Sequence, residues 1–338
     1  MEHDGITFHN VGELVPVSHP AGLALYRYPR EVRSHLSTLG HHAAACSDGV
    51  ELRLVCSPAW VTVTLSAQSN YPFSDAARIR IYRGDILVEE TTIPDGATRT
   101  LKLMEPAGMS DLDRKAFEGG RFSPHVWRIV TAGATVIYHG VEAVGEELRP
   151  PNQYEVPKVR MLAYGSSITN STPGYAEHCV RHLGVDLINK GLSGSCWCEP
   201  EVADCLPGCD RWDFVWLELG INMRGGFTAA RFEELARNLI TTIRQSAPEK
   251  PMVVTDIFPN GADYAKEPNS NTESDRLFGE AIRCIHADLA DPKIHYVNAA
   301  DVLTSFSGLS ADLVHPSPDG HQLMGRNLAE IIRGLGIV

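Results

Sequence analysis

Residues 159–175 read VRMLAYGSSITNSTPGY. Met161 to Tyr164 form a short apolar run that ends in a glycine, two serines and, after Ile168, a threonine. An apolar run of this length bounded by turn formers is the signature of a strand buried on both faces. Beyond the turn the period becomes helical, with Tyr175, Cys179 and Leu183 recurring on one face. One stretch thus holds a buried strand, a polar turn and the start of an amphipathic helix.

The same alternation runs to the end of the chain. DLIN (186–189), DFVWLEL (213–219), PMVVTDIF (251–258) and IHYVNA (294–299) are further apolar runs. Between and after them, three sets of residues fall on single helical faces. These are Phe232, Leu235, Leu239 and Ile243; Phe278, Ile282, Ile285 and Leu289; and Leu328, Ile331, Ile332 and Leu335. Ser317 followed by Pro318 marks the N-cap and first position of the last helix. Strands alternating with helices predict a parallel sheet covered on both faces. Residues 260–274, NGADYAKEPNSNTES, are long and polar and read as a loop, either a lid or simply solvated.

Upstream the period changes to two. GVELRLVC, WVTVTLSA, ARIRIYRGDILVEETTI and HVWRIVTAGATVIYHGVEAV alternate apolar with polar residues. Gly84-Asp85 suits a hairpin turn, and a second turn is expected at Ala132-Gly133. Short strands at regular spacing predict a β-sandwich accessory domain over residues 1–150. Residues 20–40 and 104–122 fit that pattern poorly. Prolines 150, 151 and 157 punctuate a linker, 151–158, which leaves 159–338 as a second domain.

The net charge of −12, with no Lys/Arg cluster, argues against nucleic acid and anionic membranes as partners. MEHDGITFHN does not read as a signal peptide, so the expected location is the cytoplasm. Four of the eight cysteines, Cys196, Cys198, Cys205 and Cys209, crowd into CWCEPEVADCLPGC. A zinc site favours C-x2-C pairs, which this spacing lacks, so these read as reduced, partly buried thiols.

In a parallel sheet, ligands bind beyond the carboxyl ends of the strands. There the chain offers Gly165-Ser166-Ser167, NKGLSGS (189–195), LGINM (219–223) and DLVHPSPDGH (312–321). Together these supply hydroxyls, flexible glycines, a carboxamide and an Asp/His pair. That is the inventory of acyl transfer through serine: a nucleophile, a histidine base, a carboxylate to orient it and donors for the oxyanion. Each residue also has an ordinary reading. Ser166 and Ser167 suit a helix cap, Asn222 and Asp312 suit loop turns, and Gly194 suits a tight turn.

The four blocks resemble those of the SGNH hydrolases, also called GDSL esterases and lipases. Gly165-Ser166-Ser167-Ile168-Thr169 matches the Gly-Asp-Ser block, Ser193-Gly194 the second, Gly220-Ile221-Asn222 the third, and Asp312-Leu313-Val314-His315 the Asp-x-x-His block. The resemblance covers 159–338. It implies an α/β fold, a flavodoxin-like doubly wound five-stranded parallel sheet, here preceded by a jelly-roll-like β-sandwich. It implies Ser167 as nucleophile, His315 as base and Asp312 as its partner. The Ser167 and Gly194 N–H groups and the Asn222 side chain would form the oxyanion hole. Ser166 stands where most members have Asp, a position outside the triad. His321 falls outside the motif. G-S-S-I-T is not G-x-S-x-G, so the α/β-hydrolase elbow is not supported.

The implied activity is a serine esterase working through an acyl-enzyme on a small O-acyl ester, expected to be an acetyl ester, with no metal or organic cofactor. The alternatives are an O-acyltransferase passing the acyl group to a sugar or natural-product alcohol, and a non-catalytic binder of acylated ligands. The two-domain layout is similar to carbohydrate acetylesterases and to polyketide-tailoring acyltransferases. Ser166, Trp197, Met223 and Arg224 are candidates for the substrate pocket, and the N-terminal domain is expected to shape that pocket.

Overall fold

The computed structural model describes residues 1–56, 60–70, 74–117, 119–144 and 148–338. The chain forms two compact units. One comprises Met1–Arg33 and His41–Lys158, the other Ser34–Gly40 and Val159–Val338.

The first unit is a sandwich of antiparallel sheets, one of six strands and one of five. Leu52, Leu54, Ile79, Ile81 and Ile129 of one sheet share a core with Val61, Val63, Leu65 and Val136 of the other. Strands Ala76–Arg83 and Ile86–Pro94 form the hairpin expected around Gly84-Asp85. The pair after it differs from expectation. Val126–Gly133 lies in the six-stranded sheet and Thr135–Val144 in the five-stranded one, so the chain changes sheet at the buried Ala134. Alternation reports a half-buried strand but not its partner, and a hairpin and a sheet crossing look alike in sequence. Residues 20–40 hold a strand, Ala21–Tyr26, and a short helix, Arg30–Arg33. The described part of 104–122 is largely irregular, with two short 3₁₀ turns; residue 118 lies outside the described residues.

The second unit is built on five parallel strands: β1 (Arg160–Tyr164), β2 (Asp186–Asn189), β3 (Phe214–Glu218), β4 (Met252–Thr255) and β5 (Ile294–Val297). Their order is β2-β1-β3-β4-β5, the flavodoxin-like arrangement that the resemblance implies. Met161, Ala163, Phe214 and Trp216 pack with Tyr175, Cys179, Met324 and Leu328 of helices Tyr175–Leu183 and Pro318–Gly334. Leu162, Tyr164, Val215 and Leu217 alternate with them and are just as buried, so both faces are covered. On helices Ala229–Ser246 and Ser270–Leu289, Phe232 stacks on Phe278 with ring centroids 4.3 Å apart.

Part of the stretch read as loop, 260–274, is helix. Asn269 caps it through a box with Thr272, and the helix starts at Ser270. The first turn, Ser-Asn-Thr, has weak helical propensity and no apolar face, so only the cap announces it.

The chain moves from β1 to β2 on one side, while β3 joins β1 on the other. The strand order therefore reverses between β1 and β3, and beyond the carboxyl ends at such a reversal is where open α/β sheets bind their ligands. The Ser167 turn follows β1 and the Asn222 turn follows β3.

Candidate active site

The two adjacent serines divide the work. Ser166 has extended backbone and caps the short helix Ser167–Asn170, its Oγ accepting the Ile168 N–H at 3.1 Å. It is fully buried, so it does not line an open pocket. Ser167, one residue on, is half-buried and brings its Oγ to 2.6 Å from His315 Nε2.

His315 Nδ1 lies 2.7 Å from Asp312 Oδ2. An ionised carboxylate only accepts, so the ring proton sits on Nδ1 and Nε2 is free to accept from Ser167. The three-residue gap in DLVH has a local cause. Asp312 Oδ1 accepts the backbone N–H groups of Val314 and His315, both at 2.9 Å, and the Ser310 hydroxyl at 2.9 Å. One carboxylate thus folds the turn with one oxygen and orients the ring with the other. Burial pushes the Asp312 carboxyl up, but its bonds to Val314, His315 and Ser310 outweigh that and hold it well below the usual carboxylate range.

His321 is excluded as a rival by its surroundings. Its Nδ1 accepts the Tyr175 N–H at 3.1 Å, and burial, with His178 and His315 nearby, pushes it down to about 4.

The second block is fastened to the first. Leu192 N–H donates to Gly165 O at 2.8 Å, and Asn170 Nδ2 to Ser193 Oγ at 2.9 Å. Gly194 has φ of +69°, in the region that favours glycine. A Cβ there would lie 2.9 Å from Leu39 Cδ2, which belongs to the Ser34–Gly40 segment of the same unit. In the third block, Asn222 Oδ1 accepts the Cys196 N–H at 3.2 Å. That fixes the carboxamide, and its Nδ2 group, unpartnered among the described residues, is the donor end.

The remaining pocket candidates are placed as follows. Trp197 is half-buried, its Nε1–H donating to Asn222 O at 3.1 Å and its ring 5.5 Å from Phe227. Met223 is fully buried, a core residue rather than a pocket wall. Arg224 donates through Nη1 to Asp275 at 3.1 Å and Asn260 at 3.2 Å, so its charge is already matched inside the unit.

Glu218, the last residue of β3, is a site residue that motif spacing does not reveal. It is fully buried, and its Oε2 accepts the Ser166 N–H at 2.7 Å, the Ser166 hydroxyl at 2.8 Å and the Thr169 hydroxyl at 3.0 Å. Its signal in the sequence is the acid inside the apolar run FVWLEL (214–219), because a charge in a buried strand needs partners.

Residues 162–323 match the family model of the GDSL-like Lipase/Acylhydrolase family. No curated protein matches the chain. Solved structures that share its fold at low identity include the following three. A salicylyl-acyltransferase from a tetracycline biosynthetic pathway has a TM-score of 0.77 at 17% identity, over 99% of this chain and 96% of that one. A family two carbohydrate esterase from Cellvibrio japonicus has a TM-score of 0.64 at 14% identity, over 98% and 96%. An acetyl xylan esterase from the rumen bacterium Butyrivibrio proteoclasticus has a TM-score of 0.61 at 13% identity, over 100% and 97%.

Proposed function

We propose that this chain, whose residues 162–323 form a GDSL-like lipase/acylhydrolase domain, is a serine esterase acting on small O-acyl esters, acetyl esters first among them. One observation carries the reading. Ser167 Oγ is 2.6 Å from His315 Nε2, and the other ring nitrogen is 2.7 Å from Asp312. Such a relay makes a serine hydroxyl nucleophilic at neutral pH.

Ser167 Oγ attacks the ester carbonyl as its proton passes to His315 Nε2. Asp312 holds the ring and offsets its positive charge. The carbonyl oxygen, now an anion, is met by the Ser167 and Gly194 N–H groups and by Asn222 Nδ2. When the C–O bond breaks, His315 returns the proton to the leaving alcohol. Water then attacks the acyl-enzyme, giving up a proton to His315, which passes it to Ser167 Oγ as the bond to the acyl group breaks and the carboxylic acid leaves.

The second reading replaces that water with an alcohol. It is supported by the whole-chain likeness to a salicylyl-acyltransferase as well as to carbohydrate esterases. One set of assays tests both. The purified chain should hydrolyse p-nitrophenyl acetate and label with a fluorophosphonate. Ser167→Ala should abolish labelling and lower kcat by about 10⁴-fold or more. A Ser167→Ala variant that still labels and turns over would overturn the assignment. Adding sugar alcohols or phenolic acceptors and weighing transferred against hydrolysed product then decides the acceptor.

A further inference from the structure

Glu218 sits where three of the four blocks meet. Its carboxylate takes two donors from Ser166 and one from Thr169, residues on either side of Ser167. Its backbone carbonyl accepts the Cys196 thiol at 3.7 Å, and the Cys196 N–H in turn holds Asn222. A Cβ on Gly165 would lie 2.6 Å from Glu218 Oε2, so glycine there lets the turn close onto the carboxylate.

Behind Thr169 the hydrogen bonds have a fixed direction. Trp216 Nε1 is a donor only, and it lies 2.6 Å from Tyr175 Oη. Thr169 gives its one proton to Glu218, so Tyr175 Oη, 2.6 Å away, must donate to Thr169. The chain of donors Trp216, Tyr175, Thr169 therefore ends on Glu218, as do both protons of Ser166. Ionised, Glu218 makes these bonds charge-assisted, and charge-assisted bonds are about twice as strong as neutral ones.

We propose that Glu218 is a positioning residue for the reaction: its carboxylate, delivered from β3, clamps the 165–169 turn so that Ser167 Oγ meets His315 and the Ser167 N–H faces the oxyanion. The proposal rests on Ser167 being the nucleophile. Glu218 touches no substrate; it acts through Ser166 and Thr169.

The clamp has a built-in proton dependence. Burial pushes Glu218 up to about 7, against the pull of Ser166 and Thr169. The other ionisable groups facing it are Tyr175, on the neighbouring helix, and Cys196, on the loop after β2. Burial raises both well above their usual values, so both stay neutral. Taking up a proton removes the charge from Glu218 and weakens all three bonds together, which loosens the turn.

The test is the pH profile of kcat in Glu218→Gln, with acetyl ester as substrate. Glutamine keeps the length and an accepting oxygen but cannot titrate. The expected result is a kcat about 10²-fold lower at pH 8, the cost of a nucleophile held loosely, with KM unchanged. The acid limb should be shallower than in wild type, because Glu218 no longer titrates. A folded Glu218→Gln with the wild-type kcat and the wild-type acid limb overturns the proposal. If that variant does not fold, Thr169→Val carries the test. Losing one donor should move the acid limb up by about one pH unit, and an unmoved limb overturns the proposal. Fluorophosphonate labelling of wild type separates the two ideas. No Ser167-dependent labelling means the esterase reading fails. Labelling of wild type and variant at equal rates means only the clamp fails.

Discussion

At the scale of single residues, Glu218 makes a prediction about stability as well as rate. Its folded value of about 7 lies above the 4.5 of an unfolded glutamate. Between these two values the folded chain keeps a proton that the unfolded chain releases. Stability must therefore fall as pH rises through that window and level off above it. The full span corresponds to roughly 3 kcal/mol. Glu199, also pushed up to about 7 by burial, adds a slope of the same sign. Asp312 acts the other way: its depressed value contributes stability above the usual carboxylate range that is lost on acidification, and solvent screening keeps that contribution small. The difference between wild type and Glu218→Gln isolates Glu218. Denaturant unfolding at pH 5 and pH 8 should show a smaller loss with rising pH in the variant, and equal losses would contradict a buried, titrating carboxylate. Residue-level legibility was uneven for the same physical reason. Ser167, His315 and Asp312 were readable because each block carries its own motif. Glu218 was not, because its role comes from a neighbouring strand brought alongside by the fold. Its carboxylate nonetheless accepts both the N–H and the hydroxyl of Ser166, inside the block that carries Ser167.

At the scale of elements, the switch point between β1 and β3 explains why turns distant in sequence share one rim. The turn after β3 depends on backbone that only glycine tolerates. Gly220 has φ of +117°, and a Cβ there would lie 2.9 Å from Ile257 Cγ1. This turn delivers Asn222, whose carboxamide is oriented by the Cys196 N–H. Asn222→Ala removes one proposed oxyanion donor. It should lower kcat by about 10²–10³-fold with little change in KM, because the donor acts on charge that develops in the transition state. A Tm near that of wild type would show that the loss is chemical; a kcat within a few-fold of wild type would remove Asn222 from the oxyanion hole. The five strands were readable from sequence because each is a short apolar run buried on both faces, and the long helices because their apolar faces repeat. The first turn of helix Ser270–Leu289 and the sheet crossing at Ala134 were not. In both, the deciding contact is with something other than the residue's sequence neighbours.

At the scale of the whole molecule, the boundary between the two units is not one cut in the chain. Ser34–Gly40 lies within the N-terminal third of the sequence, yet it groups with Val159–Val338. Composition and period pointed to a single linker, because seven residues returning from a distant part of the chain leave no periodic trace. The segment matters for chemistry through Leu39, whose Cδ2 occupies the space a Cβ on Gly194 would need. A fragment starting at residue 151 keeps every proposed triad and oxyanion residue but loses this wall. It should therefore show a lower Tm, and kcat/KM on acetyl esters should fall by more than the Leu39→Ala exchange causes in the full chain. Leu39→Ala alone should leave the fold intact and cost about 1–2 kcal/mol of stability, as expected for a partly buried leucine. Its activity loss should appear as the Gly194 loop slackens behind the oxyanion. If the fragment matches the full chain in Tm, kcat and KM, the segment carries nothing for catalysis and the unit is self-sufficient from Val159 onward.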